Sequence, residues 1–354
     1  MNGETSSRWT AIWKLSRARF IEFIREPEAV FWTYGFPMIM VLILGLSFRN
    51  KPIEKVDVDV VSGSNLEIKA LEVAGRFNVK VLPEKECLNR LRTGKTPLVV
   101  KGDGVRATYL FDPDNTEARA TRAAVDDAIQ RAAGRHDPVP VTDQKYQEPG
   151  GRYVDFLVPG LIGMGVMGGG LWGLGFVIVD MRIRKLLKRL LATPMRRSDF
   201  LLSLMINRFV FLIPEVAILL VFAYYAFGVR MAGSLIEVVL VIFVGAIAFS
   251  GLGLLIASRA KTIEAVSGLM NLLMLPMWTM SGIFFSSSRL LDNEYVPEVV
   301  KWFIKLLPMT LLLDALRPIM LEGASITEHV FEIGALIVWT VVSFAVALKI
   351  FRWT

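Results

Sequence analysis

Six long apolar stretches alternate with loops of contrasting charge, and that layout excludes most soluble folds. A membrane-spanning helix needs about 20 mostly apolar residues to cross roughly 30 Å of hydrocarbon. Such runs fall at 29–48, 153–179, 203–227, 234–257, 264–285 and 329–348. The loop at 182–197, RIRKLLKRLLATPMRR, holds seven Lys or Arg and no acid. Basic residues in short loops stay on the cytoplasmic side, so this loop predicts the orientation of its neighbours. Arg259 and Lys261 follow the fourth run, and Lys349 and Arg352 follow the last. An inside start, six crossings and an inside end place all three basic flanks in the cytoplasm. The expected location is the cytoplasmic (inner) membrane, with both termini inside.

A soluble enzyme of 354 residues buries a large core without repeated runs of this length. The mean hydropathy is +0.49 and the formal charge +7. Most of the excess charge lies in the cytoplasmic flanks, where anionic lipid and topology account for it, so nucleic acid is not an expected partner. The single cysteine, Cys87, excludes an internal disulfide. The N-terminal sequence lacks the apolar core and small-residue cleavage site of a signal peptide, so the first apolar run is expected to remain as a span.

Residues 1–28 read as a cytoplasmic amphipathic helix lying in the interface. Trp9, Ile12, Trp13, Phe20 and Phe23 recur at helical spacing among Arg8, Lys14, Arg17, Arg19 and Arg25. Residues 49–152 differ in kind, with 18 basic and 16 acidic residues and no spanning run. Val56, Val58 and Val60 alternate with Asp57 and Asp59, as in a half-buried strand. Helices are predicted at Leu66–Val73 and Glu84–Leu91, and a strand at Phe77–Leu82. A hairpin is expected around Gly102-Asp103-Gly104, then a capped helix from Asn115 to near Gly134. This is an external α/β domain, joined by a polar linker at 138–151. Residues 180–202 form a cytoplasmic helix and loop, and 349–354 a cytoplasmic tail. Within 286–326, Val299–Met320 is long enough to cross, but Lys301, Lys305, Pro308, Asp314 and Arg317 argue for external or re-entrant helices. The fold class expected is an all-α polytopic membrane protein of six transmembrane helices with an inserted external α/β domain.

Several motifs resemble catalytic sites without their context. Gly163-x-Gly165-x-x-Gly168 matches a dinucleotide fingerprint but lies inside an apolar run with no preceding strand. In the second span Gly160, Gly163, Gly165, Gly168, Gly169, Gly170, Gly173 and Gly175 suit close helix packing instead. Gly94-Lys95-Thr96 imitates the end of a phosphate loop, yet Asn89 stands where glycine is required. His136 and His329 form no metal constellation. No catalytic residue, metal or cofactor is expected on this chain. Glu215, after Pro214 in the third run, is costly in hydrocarbon. It reads either as a pathway or helix-locking residue or as a hydrogen-bonded carboxyl beside a kink.

The basic loop is also amphipathic. Ile183, Leu186, Leu187 and Leu190 mark one side, among Arg182, Arg184, Lys185, Lys188 and Arg189, and Pro194 ends the helix. Lipid contact and protein contact both suit it. Here the chain resembles a family. An interfacial helix precedes Arg25-Glu26-Pro27. There follow Tyr153-Val154-Asp155-Phe156-Leu157-Val158-Pro159-Gly160 and Lys188-Arg189-Leu190-Leu191-Ala192-Thr193-Pro194-Met195. Later come Pro276-x-x-x-x-Ser281-Gly282-Ile283-Phe284-Phe285, Leu307-Pro308-Met309-Thr310 and Asp314-Ala315-Leu316-Arg317. In order and placement these resemble the permease subunit of ABC-2 type exporters, in a subgroup with a large external domain after the first transmembrane helix.

The resemblance implies two permease halves, as homodimer or heterodimer, driven by two cytoplasmic ATPases that carry the ATP and Mg. It implies ATPase-coupling roles for Arg17, Arg25, Glu26, Arg184, Lys185, Lys188 and Arg189. It implies packing or pathway roles for Gly165, Gly168, Gly169, Pro276, Ser281, Gly282 and Phe284. Pro308, Asp314 and Arg317 would belong to the external re-entrant region. A non-transporting membrane scaffold and an ion-coupled carrier are the rival readings.

Overall fold

The computed structural model describes residues 2–48, 55–63, 71, 75–102, 106–135, 150–192 and 197–351. These fall into two units, residues 1–49 with 147–354 and residues 50–146.

The larger unit is helical. Helix α1 (Asn2–Arg25) is followed at once by α2 (Pro27–Ser47), with Pro27 at the first helical position, where its missing N–H costs nothing. In the smaller unit, strands β1 (Val56–Val61) and β2 (Phe77–Leu82) precede helix α3 (Glu84–Arg92). Strands β3 (Leu98–Gly102) and β4 (Ala107–Leu110) and helix α4 (Thr116–Ala132) follow. The larger unit resumes with α5 (Tyr153–Ile183), a short α6 (Leu186–Leu191), α7 (Arg197–Phe227), α8 (Leu235–Arg259) and α9 (Ile263–Met280). It ends with α10 (Glu298–Leu306), α11 (Pro308–Arg317) and α12 (Val330–Ile350). Among the described residues six helical segments are long and apolar enough to cross a membrane: α2, α5, α7, α8, α9, and α12 with its preceding turn.

Val299–Met320 is not one helix. Leu307 adopts an extended conformation between α10 and α11, and Pro308 starts the second piece. Nine and ten residues rise only about 14–15 Å each. Helix α11 is nearly all buried, whereas α10 exposes Val299, Trp302 and Phe303. The fifth apolar run also ends early, at Met280 rather than Phe285, because Gly282 turns the chain at φ +85°. The basic loop is not one helix from Arg182 onward. Lys185 sits at φ +58°, an unfavourable conformation for a side-chain-bearing residue, and divides the end of α5 from α6. Pro194 lies outside the described residues.

Helices α5 and α8 form the centre, with 56% and 61% of their apolar windows buried, against 17–22% for the other four spans. Glycines bring them together. A β-carbon on Gly170 would lie 2.6 Å from the Phe249 backbone, and one on Gly175 2.6 Å from the Gly253 carbonyl. Directly after Gly170, α5 loosens into a π-helical turn at Leu171–Phe176 that includes Gly175, a form that widens the backbone locally. Gly163 faces Met309 and Leu313 of α11, and Gly245 of α8 faces Leu312. The glycines predicted as one packing set therefore divide, because a β-carbon at Gly168 meets nothing within 4 Å.

The smaller unit is a mixed sheet and helix insertion. Its strand order is β2-β1-β3-β4, parallel except for the β3–β4 hairpin. The sequence predicted a half-exposed β1, but both faces are covered, as in central parallel strands. Val58 and Val60 join Leu71, Leu98 and Val125, while Val61 joins Cys87 and Val99 on the other side. Asp59 is consequently buried and accepts a hydrogen bond from Arg90 Nε at 2.7 Å. Asn115 caps α4 by accepting from the backbone N–H groups of Glu117 and Ala118. Gly94, at φ +69°, closes α3, and the Thr96 hydroxyl donates to the carbonyls of Asp57 or Leu98. Gly94-Lys95-Thr96 is thus a helix exit rather than a phosphate cradle. The predicted helix at Leu66–Val73 lies outside the described residues except for Leu71. So do the hairpin tip at 103–105 and the linker up to residue 149.

The division among the glycines has a measurable consequence. We expect Gly170→Ala to destabilise the detergent-solubilised protein by about 1–3 kcal/mol through overpacking. Gly168→Ala should leave the thermal unfolding temperature unchanged or raise it. Equal behaviour of the two variants in a melting experiment would contradict the α5–α8 packing.

Candidate functional site

Helix α7 carries Arg208 and Glu215 seven residues apart, two turns along one face. Both are almost fully buried, at 7% and 9% side-chain exposure, and Nη1 lies 3.1 Å from the carboxylate. The second guanidinium nitrogen, Nη2, donates to the Gly165 carbonyl of α5 at 2.9 Å. Space for this pair exists because α5 has no side chains there. A β-carbon on Gly165 would overlap the Glu215 carboxylate, and one on Gly169 would overlap the Arg208 guanidinium. The structure thus assembles Gly165, Gly169 and Glu215 and adds Arg208, which sequence reasoning did not single out. The available signal was a cation two turns from the carboxylate in the same apolar run. Asn207, also buried, stands beside Arg208.

The turn of α7 that holds the pair also packs against α1. Phe211 lies between Arg208 and Glu215 on α7, and its ring packs against Phe23 at 4.3 Å and Phe20 at 5.8 Å. The Tyr34 hydroxyl of α2 donates to the Phe211 carbonyl at 3.4 Å. Pro214 supplies no N–H to the helix, which weakens the ladder on this turn. Arg19 of α1 reaches the Met181 sulfur of α5 at 2.7 Å. Ile12 and Ser16 are buried, whereas Arg17, Arg25 and Glu26 are exposed. On the α5–α6 turn Arg184, Lys185, Lys188 and Arg189 are exposed, and Leu187 is buried.

A second cluster gathers motifs far apart in sequence. Asp155 is 1% exposed and takes a 2.8 Å ion pair from Arg152, whose Nη1 also donates to the Phe227 carbonyl at the end of α7, at 2.7 Å. The Tyr153 hydroxyl donates to the Phe284 carbonyl at 3.0 Å. Arg317 lies 3.8 Å above the Phe156 ring and donates to the Gly282 carbonyl. Burial pulls the Arg317 guanidinium down to about 10, with Asp314 opposing the shift, so it stays charged at neutral pH. Ser281 and Pro308 are buried, Pro276 and Phe284 half-buried, and Asp314 exposed. His329 lies 3.8 Å from Glu332. Among the described residues no group of three His, Cys, Asp or Glu gathers to hold a metal.

Six spans, a central glycine-mediated helix pair and a membrane-buried ion pair define a polytopic membrane protein. Residues 28–349 match the family described as ABC-2 family transporter protein, and the chain belongs to that family. It is similar to ABC transporter G family member 20 of Dictyostelium discoideum, 22% identical over 372 residues covering 95% of this chain and 50% of that protein. It is also similar to the linearmycin resistance permease protein LnrN of Bacillus subtilis (strain 168), 24% identical over 51% of this chain and 45% of that one. Nodulation protein J of Bradyrhizobium diazoefficiens is 29% identical over 29% of this chain and 37% of its own length. The chain spans about half or less of the length of these curated relatives.

Removing one member of a buried ion pair strands the other charge, typically at about 3–5 kcal/mol. We expect Arg208→Ala and Glu215→Ala each to lower stability by that order, with the double variant Arg208→Ala/Glu215→Ala recovering much of the loss. Additive losses in a double-mutant cycle of thermal unfolding would show that the two side chains do not act as a pair.

Proposed function

We propose that this chain is the membrane subunit of an ATP-driven exporter of the ABC-2 type, in the subgroup with a large external domain after the first span. The observation that carries the reading is the path from α1 through Phe211 to the Arg208–Glu215 pair and the Gly165 carbonyl. An interfacial helix with exposed Arg17, Arg25 and Glu26 is bolted by aromatic rings to a spanning helix. Arg208 of that span, held by Glu215, donates to the Gly165 carbonyl of the central α5. Motion imposed on α1 and the exposed α5–α6 turn therefore reaches the middle of the bundle.

ATP and Mg would be held by a separate pair of cytoplasmic ATPases, and a second permease half would complete the pathway as a homodimer or heterodimer. ATP-driven closure of the ATPases would press on α1 and on Arg184, Lys185, Lys188 and Arg189, shifting α7 against α5. The bundle end holding Gly282, Phe284 and Arg317 would form the outer exit. The cargo class is a lipid-like compound, a drug or a glycan. Pairing of Glu215 with Arg208 disfavours an ion-coupled carrier, which needs a carboxylate free to exchange its ion.

Two measurements test this reading. In a Cys87→Ser background, an impermeant thiol reagent added outside should label Asp114→Cys and not Lys188→Cys, and the reverse pattern would refute the orientation. With the ATPase co-expressed, Arg184→Glu/Lys188→Glu should lower both complex recovery and cargo-stimulated ATP hydrolysis while the protein inserts normally. Unchanged hydrolysis would remove the turn from the coupling path. A wild-type chain that binds no ATPase would favour a scaffold.

A further inference from the structure

The ends of α5, α8 and α12 line an open cavity of about 810 Å³ that the transport reading does not use. Its lining includes Arg182, Ser258, Arg259, Lys261, Lys349 and Phe351. Four cations from three separate chain segments thus converge on one space. Among the described residues, Arg182, Arg259, Lys261 and Lys349 have no carboxylate within ion-pair distance. Glu264, three residues beyond Lys261, is exposed and pairs with none of them.

Arg182 is the best-placed of the four. Its Nη1 donates to the Ala257 and Ala260 carbonyls at 2.7 and 3.0 Å, which caps the C-terminal end of α8. Its guanidinium lies 5.3 Å from the Phe351 ring centre. Its Nε and Nη2 are closed off from solvent, so it meets the cavity with the rest of its side chain and with its charge. Like charges brought together without carboxylates repel one another, and here one such cation stands at a cavity lined by three more. Topology alone explains basic residues at these helix ends. It does not explain their convergence on one cavity without a carboxylate to balance them.

We propose that this cavity binds the phosphodiester headgroup of an anionic glycerophospholipid. A phosphate brings negative charge to the space on which Arg182, Arg259, Lys261 and Lys349 converge. Basic pockets between transmembrane helices at the membrane surface suit such headgroups. The acyl chains have a place as well, because Ile263, Val346 and Leu348, a few residues from the lining Lys261 and Lys349, expose apolar surface. That amphipathic arrangement favours a lipid over a soluble phosphate, whose recognition would not need an adjoining apolar face. The bound headgroup would bridge the ends of α5, α8 and α12. The inference rests on the helices spanning a bilayer and not on the exporter reading, and its test measures no transport.

The full-length chain, purified in mild detergent, is offered mixed micelles of phosphatidylglycerol and phosphatidylcholine, and retained lipid is read by native mass spectrometry. We expect preferential retention of phosphatidylglycerol and a higher unfolding temperature in its presence. Arg182 also caps α8, so Lys261→Gln/Lys349→Gln at the exposed rim is the informative variant. Retention should fall roughly tenfold or more, each nearby cation contributing a several-fold factor toward an anionic headgroup, while the lipid-free unfolding temperature stays near wild type. Equal retention by wild type and variant overturns the site. Stabilisation of the lipid-free protein by inorganic phosphate to the same extent as by phosphatidylglycerol also overturns the lipid assignment.

Discussion

Lipid tails are as apolar as leucine, so burial of apolar surface does little to drive spanning helices together, and close packing must do the work. In this chain the closest packing is between α5 and α8. Gly170, Gly175 and Gly253 remove the side chains that would hold the two backbones apart. The remaining spans are arranged around that pair and stay largely exposed on their outer faces. Helix α11, too short to cross, fills the space beside both through Met309, Leu312 and Leu313. The π-helical turn in α5 sits in the same contact. Its looser hydrogen bonding places the least regular part of the central helix where the helices approach most tightly.

The same absence of side chains makes the ion pair possible. Charges are expensive in hydrocarbon unless they meet each other or backbone oxygens. Arg208 does both, through Glu215 and the Gly165 carbonyl. Gly165 and Gly169 leave the volume the two side chains occupy. A polar lock of this kind resists sliding of α7 along α5 more than apolar contact would, because displacement breaks bonds that no water replaces. Phe211 carries the aromatic contact to α1 from the same two turns of α7.

At the other end of the bundle, Arg152 and Asp155 join the start of α5 to the end of α7, and Tyr153, Phe156, Gly282, Phe284 and Arg317 meet around them. The left-handed conformation at Gly282 lets the chain leave α9 and present carbonyls to Tyr153 and Arg317. Four segments far apart in sequence, the start of α5, the end of α7, the turn after α9 and α11, thereby meet in one cluster.

The six spans were legible in the sequence because length and hydropathy are local properties, and hydrocarbon tolerates no other regular spanning structure built from such runs. The break at Pro308 and the cap at Asn115 were legible for the same local reason. Position within the tertiary structure decided the rest. Asp59 alternates with valines as a solvent-facing residue would, yet β1 lies at the centre of its sheet and the carboxylate is buried on Arg90. Gly168 and Gly169 are equivalent in sequence, but one faces open space and the other Arg208, since successive helical residues point about 100° apart. Glu215 announced itself by its cost in an apolar run. Its partner, the glycine cradle and the gathering of Arg182 with Arg259, Lys261 and Lys349 depended on how separate helices pack, which no single stretch of sequence encodes.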